Sequence, residues 1–458
     1  MAIRRILIAN RGEIAVRIVR TCRALGIETV LAASAPDRDS LPARLADRTV
    51  CIGPGRPGES YLKAEAIVHA ALATGADAIH PGYGFLSERP ALAALCEAHG
   101  IAFIGPTAAQ IESVGDKVRA RAVAEAAGVP VVPGGQVDSV EAALALGREL
   151  GTPLLVKAVG GGGGRGMKCV TRLEDLAAAV ALASAEAEAA FGDPRVYLER
   201  FVVSGRHVEV QILGDGRGQV VHLGERDCSV QRRYQKLIEE TPAPGLSAPL
   251  RRTLHEAAVR FGERLAYRGA GTVEFLVDVQ REACYFLEMN ARLQVEHPVT
   301  EAVTGVDLVA EQIAIAEGAG LRFEQSAIEH RGCALECRVN AEDPGADFHP
   351  CPGLVREAVW PEGEGVRVDT HIVSGSHIPP YYDSLMAKII VHGPDRATAL
   401  TRLAAALAAT RIVGVATNLP FHQAVLAHPQ FRAGAVDTGF VARLLERRAA
   451  AEEIAHHG

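Results

Sequence analysis

Two glutamates, Glu274 and Glu288, stand on two apolar runs, Thr272–Val277 and Cys284–Met289, at equal distances from Arg281. A short polar turn separates the runs, so they read as a hairpin, and the two carboxylates then lie opposite each other on one face. Carboxylates held close in apolar surroundings repel, and one protonates unless a cation sits between them. Magnesium needs few protein carboxylates and takes its other ligands from water and phosphates, and Asn290 can add a side-chain oxygen. Two surface glutamates on an edge hairpin are the alternative. The chain continues Asn290-Ala291-Arg292-Leu293-Gln294-Val295-Glu296-His297-Pro298. Arg292 offers a planar fork for an oxyanion such as bicarbonate or a carboxylate, and Glu296 is an acceptor that could act as a general base. Taken alone, an Arg–Glu pair is more often a structural ion pair. His297 reads as structural, because Pro298 fixes the chain around it.

Gly160 to Gly164 are five consecutive glycines, followed by Arg165-Gly166-Met167. Such a run is costly to order and makes sense where backbone N–H groups must approach phosphate oxygens. It is not a Walker A loop, since no Gly-Lys-Ser/Thr follows and the next run is strand-like; a flexible linker is the alternative. Lys157, on the strand-like run Leu154–Ala158, could reach a phosphate as a point charge. Lys117 follows Gly115-Asp116, and Arg226 to Arg233 leads into Tyr234-Gln235-Lys236. That basic run reads most simply as a solvated face. Glu336-Cys337-Arg338 lies on a strand-like run where Arg338 would be half-buried.

The elements that must position these groups follow from periodicity. Arg5–Ala9 reads as a strand; Ile14, Ile18, Cys22 and Leu25 fall at helical spacing; and Ile27–Leu31 is a second strand. Further alternation reaches Ala78–His80 and Ile101–Pro106, a Rossmann-type α/β unit. An Ala-rich helix from about Lys117 to Gly128 leads to a hinge at Val129–Gly135. Strand, glycine loop and strand then form a flap that ends at Arg195–Phe201. Val208–Leu213 is a further strand, and from about His330 a strand-rich stretch leads to Ala-rich helices between Ala397 and Ala409. The 458 residues suit about three domains; 48% are hydrophobic and 22% charged, which supports sizeable cores. A net charge of −7 gives no general attraction for nucleic acid or an anionic membrane. Nine cysteines without a CxxC pair read as reduced core thiols. Neither a signal peptide nor a membrane span is recognisable, so a cytoplasmic protein is expected.

Together these pieces resemble the biotin carboxylases of the ATP-grasp superfamily. The resemblance rests on Ile8-Ala9-Asn10-Arg11-Gly12-Glu13, on His80–Glu88, on Gly160–Met167 and on Glu225–Arg233. It rests also on Tyr267-Arg268-Gly269-Ala270-Gly271-Thr272, Glu288–Glu301 and Pro379-Pro380-Tyr381-Tyr382-Asp383-Ser384. It covers nearly the whole chain, and the order and spacing of the motifs are more specific than any one of them. It implies an α/β ATP-grasp fold: a Rossmann-like N-terminal domain over 1–112, an ATP-grasp domain over 113–328 with a mobile lid at about 131–203, a C-terminal α+β domain over 329–447, and a flexible tail at 448–458.

The resemblance also implies roles. Lys117, Lys157, Gly163, Gly164, His207 and Lys236 would hold ATP phosphates and ribose; Glu199, Phe201 and Val202 would line the adenine pocket, and Met167, Gln231 and Leu276 would also contact the nucleotide. Glu274, Glu288 and Asn290 would bind magnesium, which manganese could replace. Arg292, Gln294 and the amide of Val295 would hold bicarbonate, Glu296 would deprotonate it, Arg338 would stabilise the biotin enolate, and Tyr83 and Asp383 would lie near the biotin ring. The implied reaction makes carboxyphosphate from ATP and bicarbonate and then carboxylates biotin, as in a multisubunit acetyl-CoA or other acyl-CoA carboxylase. Met386-Ala387-Lys388 sits inside an apolar strand-like run and is not a biotinyl turn, so a biotin carboxyl carrier protein and a carboxyl transferase are expected as separate chains, and a homodimer as the assembly. Tyr234 departs from the family, which commonly has His there. An ATP-grasp ligase with an amine acceptor is the alternative enzyme; a nicotinamide dehydrogenase lacks its GxGxxG here, and the retained charged residues argue against an inactive regulatory subunit.

Overall fold

The computed structural model describes residues 2–159 and 167–447. The glycine tract with Gly163 and Gly164, and the tail at 448–458, lie outside the described residues.

Near the N-terminus, β1 (Arg5–Ile8), β2 (Glu28–Ala33), β3 (Arg48–Cys51), β4 (Ala78–His80) and β5 (Ala102–Phe103) form a parallel sheet in the order β3-β2-β1-β4-β5. Its inner strands are continuous apolar runs, as a sheet covered on both faces requires. The helix Gly12–Ala24 buries Ile14, Ile18 and Cys22, whereas Leu25, which continues that spacing, caps the helix and is exposed. The strand order reverses between β1 and β4, so the loops after both strands open onto one crevice. Asn10 ties the two loops together, its Nδ2 donating to the carbonyls of Pro81 (2.7 Å) and Tyr83 (2.7 Å).

The lid is a separate antiparallel sheet of β6 (Gly134–Val137), β7 (Leu154–Ala158), β8 (Met167–Val170) and β9 (Val196–Arg200), in the order β6-β9-β7-β8. Helices Val140–Leu150 and Leu176–Phe191 cover it. Its own core includes Val156, Val170, Leu176 and Leu198, which permits movement as a unit. The expected hinge is anchored on one side, because the Phe286 N–H donates to the Pro130 carbonyl (2.7 Å) and Val131 bridges to Phe286.

Eight antiparallel strands make the central sheet. They are β10 (Arg206–Asp215), β11 (Val220–Arg232), β12 (Gln235–Thr241), β13 (Arg268–Asp278), β14 (Ala283–Asn290), β15 (Cys333–Asn340) and the strands Val366–Thr370 and Leu385–Gly393. Their order is β14-β13-β10-β11-β12-β15, then Leu385–Gly393, then Val366–Thr370. One sheet thus runs from the ATP-grasp segment into the C-terminal segment through the β12–β15 pairing.

Several sequence expectations need correction. The basic run from Arg226 is the interior strand β11, and Arg226 is fully buried, its charge met by Glu209 at 2.6 Å; ion pairing permits burial of a charge that hydropathy alone assigns to solvent. Arg233 and Tyr234 both adopt positive φ (+47° and +67°) in the two-residue turn joining β11 to β12, so the backbone reverses before Lys236 and the basic run ends at that turn. One helix, Arg396–Ala409, fills the Ala-rich C-terminal stretch. All nine cysteines are free, but Cys51 and Cys169 are exposed and Cys351 is only half-buried. Among the described residues no helix is long and apolar enough to cross a membrane.

Candidate active site

Sheet register brings the chemistry together. Glu274 and Glu288 are direct partners across β13 and β14, as equal spacing from Arg281 suggests. On its other side β13 pairs with β10, which sets Glu274 against Glu209, and β10 pairs with β11, which sets Glu209 against Arg226. A cleft of about 1610 Å³ lies over this surface, between the central sheet and the lid. Of the residues expected at the site, Tyr83, Lys117, Lys157, Met167, Glu199, Phe201, Val202, His207, Gln231, Lys236, Glu274, Leu276, Glu288, Asn290, Arg292, Gln294, Val295, Arg338 and Asp383 line it. Glu296 alone of the described set lies beneath the floor, at 0% exposure.

Lys236 joins floor to cleft. Its ammonium binds Glu209, Glu274 (2.9 Å) and Glu296 (2.7 Å). Burial opposes its charge, but the three carboxylates outweigh burial and raise its pKa well above the ordinary lysine value. Glu296 has both oxygens engaged, Oε1 by Lys236 and Oε2 by Arg338 Nη2 at 2.8 Å. Burial would raise its pKa, yet Lys236, Arg338 and Arg226 hold it well below the usual carboxylate range. Arg338 is half-buried on β15, as expected, and its Nε donates to Glu239 (2.7 Å). His207 is buried with Nε2 3.0 Å from Glu274; burial lowers its pKa and Glu274 more than restores it, so the ring is held towards the protonated form.

The Glu274–Glu288 pair suits a divalent cation. Asn290 Nδ2 donates to Glu274 Oε1 (2.7 Å). Glu288 faces the open cleft, and its pKa is raised, first by desolvation and then by the charge of Glu274 opposite. A hard cation with oxygen ligands would relieve that repulsion. Arg292 donates to Glu88 (2.9 Å), to Gln294 Oε1 (3.0 Å) and to Asn290 Oδ1 (3.1 Å). The buried Gln294 Nε2 has no hydrogen-bond partner among the described residues, and a free buried amide donor beside a guanidinium suits a small oxyanion. At the nucleotide end Lys157 pairs with Glu199, and Lys117 is exposed at the start of the helix Lys117–Ala126. His297 is fully buried, with its Nδ1 2.8 Å from the Gln294 carbonyl, which fits a structural role.

Tyr83 and Asp383 also line a smaller cavity of about 120 Å³ with Arg11 and Glu13. The Tyr83 hydroxyl donates to Glu13, and fully buried Lys388 pairs with Glu13 (3.0 Å) and donates to the Val295 carbonyl (2.8 Å). Sequence reasoning missed Glu13, Glu209, Glu239, Arg226 and Lys388. The signal for Glu209 was a lone charge in an apolar strand, Val208-Glu209-Val210, but its meaning needs the partner strands' register.

Three families match the chain in order. They are the biotin carboxylase N-terminal domain over residues 2–111, the carbamoyl-phosphate synthase L chain ATP-binding domain over 116–324, and the biotin carboxylase C-terminal domain over 336–443. The chain is 51% identical over 439 residues to the biotin carboxylase of Nostoc sp., spanning 95% of this chain and 98% of that one. It is similar to the solved biotin carboxylase–βγ-ATP complex of Campylobacter jejuni, with TM-score 0.91, 44% identity, and 96% and 99% of the two chains covered. Another similar structure is the biotin carboxylase domain dimer of Hydrogenobacter thermophilus 2-oxoglutarate carboxylase with MgADP, ADP and bicarbonate, with TM-score 0.89, 43% identity, and 97% and 98% covered.

Proposed function

The chain belongs to the biotin carboxylase family, and from that premise we propose how its own residues carry the reaction. The enzyme is an ATP-dependent ligase that carboxylates biotin with bicarbonate, the first half-reaction of biotin-dependent carboxylases. The observation that carries the assignment of roles is the junction of Glu296, Lys236 and Arg338 beside the Glu274–Glu288 pair.

ATP lies in the cleft, its phosphates held by Lys117, Lys157, His207, Lys236 and the tract with Gly163 and Gly164. Its base is set against Met167, Glu199, Phe201, Val202 and Leu276, with Gln231 beside it. Glu274, Glu288 and Asn290 would hold magnesium, or manganese in its place, which when bound neutralises phosphate oxygens. Bicarbonate sits on Arg292, Gln294 and the Val295 amide. Glu296 is ionised but a weak base while Lys236 grips it. As Lys236 turns to the γ-phosphate, Glu296 loses a counterion, its pKa rises, and it takes the bicarbonate proton. The bicarbonate oxygen then attacks the γ-phosphorus, the bond to the bridging oxygen breaks, ADP leaves and carboxyphosphate forms. This breaks down to carbon dioxide and phosphate, the phosphate takes the proton of the biotin ureido nitrogen, and that nitrogen bonds to the carbon of carbon dioxide, while Arg338 faces the enolate oxygen and Tyr83 and Asp383 flank the ring. A closed lid keeps water from carboxyphosphate.

The segments act as a Rossmann-like unit over 1–112, an ATP-grasp unit over 113–328 with its lid at 131–203, and a C-terminal unit over 329–447. Biotin arrives on a separate carrier protein and leaves for a separate carboxyl transferase; the burial of Lys388 supports this, since it removes the one Met-Ala-Lys lysine from reach. The related domain described as a dimer supports a homodimer, and the lack of a membrane-crossing helix among the described residues fits a cytoplasmic enzyme. The test is labelled-bicarbonate incorporation into free biotin by the purified chain. Carboxybiotin should form only with MgATP, bicarbonate and biotin together. ATP cleavage driven by an amine acceptor and indifferent to biotin would contradict the assignment.

A further inference from the structure

Glu239 touches no expected substrate group, yet it is at 0% exposure, and its Oε1 accepts from Arg338 Nε at 2.7 Å. Its Oε2 has no partner among the described residues, and neither does either oxygen of Glu336, its register partner on β15. Burial pushes the Glu239 carboxyl up to about 7, and the Arg338 guanidinium beside it is the main charge that favours its ionised form. The Arg338 backbone is clamped as well, since its carbonyl accepts from Asn418 Nδ2 (2.9 Å) and lies 2.7 Å from His422 Nε2. The guanidinium alone is left adjustable, strung between Glu239 through Nε and Glu296 through Nη2.

These two partners differ in one respect that the reaction exposes. When Glu296 acts as base, the bicarbonate O–H bond breaks, a new O–H bond forms on Glu296, and the electron pair stays on the oxygen that attacks phosphorus. Glu296 is then neutral, and Arg338 loses half of its counter-charge just before it must face the biotin enolate. We propose that Glu239 is a positioning residue, the counterion that keeps the Arg338 guanidinium in its carboxylating orientation while Glu296 holds the proton. This rests on the roles given above for Glu296 and Arg338. Glu239 can fill the part because it lies on β12, three residues beyond Lys236, fully buried and not among the residues that line the cleft.

The consequence is a specific uncoupling. Without the counterion carboxyphosphate still forms, but a displaced Arg338 fails to stabilise the enolate, and the intermediate decays to carbon dioxide and phosphate. Glu239→Gln keeps the shape, and its amide can donate to Glu336, so folding should survive. In the full-length enzyme with MgATP, bicarbonate and free biotin, carboxybiotin formed per phosphate released should fall roughly ten- to hundredfold, the effect of losing one charged hydrogen bond. KM for ATP should stay within about twofold, because Glu239 makes no uniform binding contact with the nucleotide. Glu239→Asp keeps the charge but is a methylene shorter, and should give an intermediate ratio. A general structural defect would lower both products in proportion and leave their ratio unchanged; that result in Glu239→Gln, or a Glu239→Asp ratio no better than that of Glu239→Gln, overturns the inference alone. Wild-type enzyme that makes no carboxybiotin would instead refute the reading on which it rests.

Discussion

Lys236 meets three carboxylates from three different elements, and in the proposed mechanism it, rather than its neighbour Tyr234, supplies most of the attraction for the transferring phosphate. Tyr234 sits in the β11–β12 turn with 59% of its surface exposed, where its hydroxyl is one neutral donor at the cleft edge. Lys236→Ala should lower ATP-dependent carboxylation on the order of 10²-fold or more, since it removes a cationic clamp. Tyr234→Phe should cost less than about tenfold, the worth of one neutral hydrogen bond. Parallel steady-state kinetics decide between them; a more damaging Tyr234→Phe would reverse the assignment. Lys236, Glu296 and Arg338 are legible in the sequence because they lie in motif-like runs. Glu209 and Glu239 are not, because a glutamate on a strand gains meaning only from the Arg226 and Arg338 that face it.

The β13–β14 hairpin is legible because the two glutamates mirror each other about Arg281, although they become direct partners only through a register shift between Glu274 and Phe275, which the sequence does not announce. The β11–β12 turn is hidden, because its two positive-φ residues are Arg233 and Tyr234 rather than the Asn or Gly that mark such turns. Lid strands β7 and β8 are also legible, being short apolar runs on either side of the glycines. Their sheet has a core of its own and meets the central sheet through the Val131–Phe286 bridge, so nucleotide spanning Lys157 and Lys236 should fasten one to the other. Amide exchange in β7 and β8 should slow when MgATP is added. Equal protection with and without the nucleotide would contradict a closing role for the lid.

Across the whole molecule, the N-terminal α/β unit and the lid follow from periodicity, but the continuity of the central sheet does not. The β12–β15 pairing joins residues far apart in the chain, and no local pattern announces it. That pairing sets Lys236 and Glu239 beside Arg338, so the reacting groups belong to one rigid surface. In the proposed mechanism Glu296, just beneath that surface, is the base that lets a bicarbonate oxygen attack the γ-phosphorus of ATP. Turnover of ¹⁸O-labelled bicarbonate tests this most directly, with the released phosphate examined by mass spectrometry. Phosphate from the wild-type enzyme should carry an oxygen from bicarbonate, and Glu296→Gln should lower its labelled yield by roughly 10²–10⁴ with ATP binding intact, the usual span for a general base. Unlabelled phosphate from the wild type, or near-normal labelled turnover in Glu296→Gln, would contradict the account.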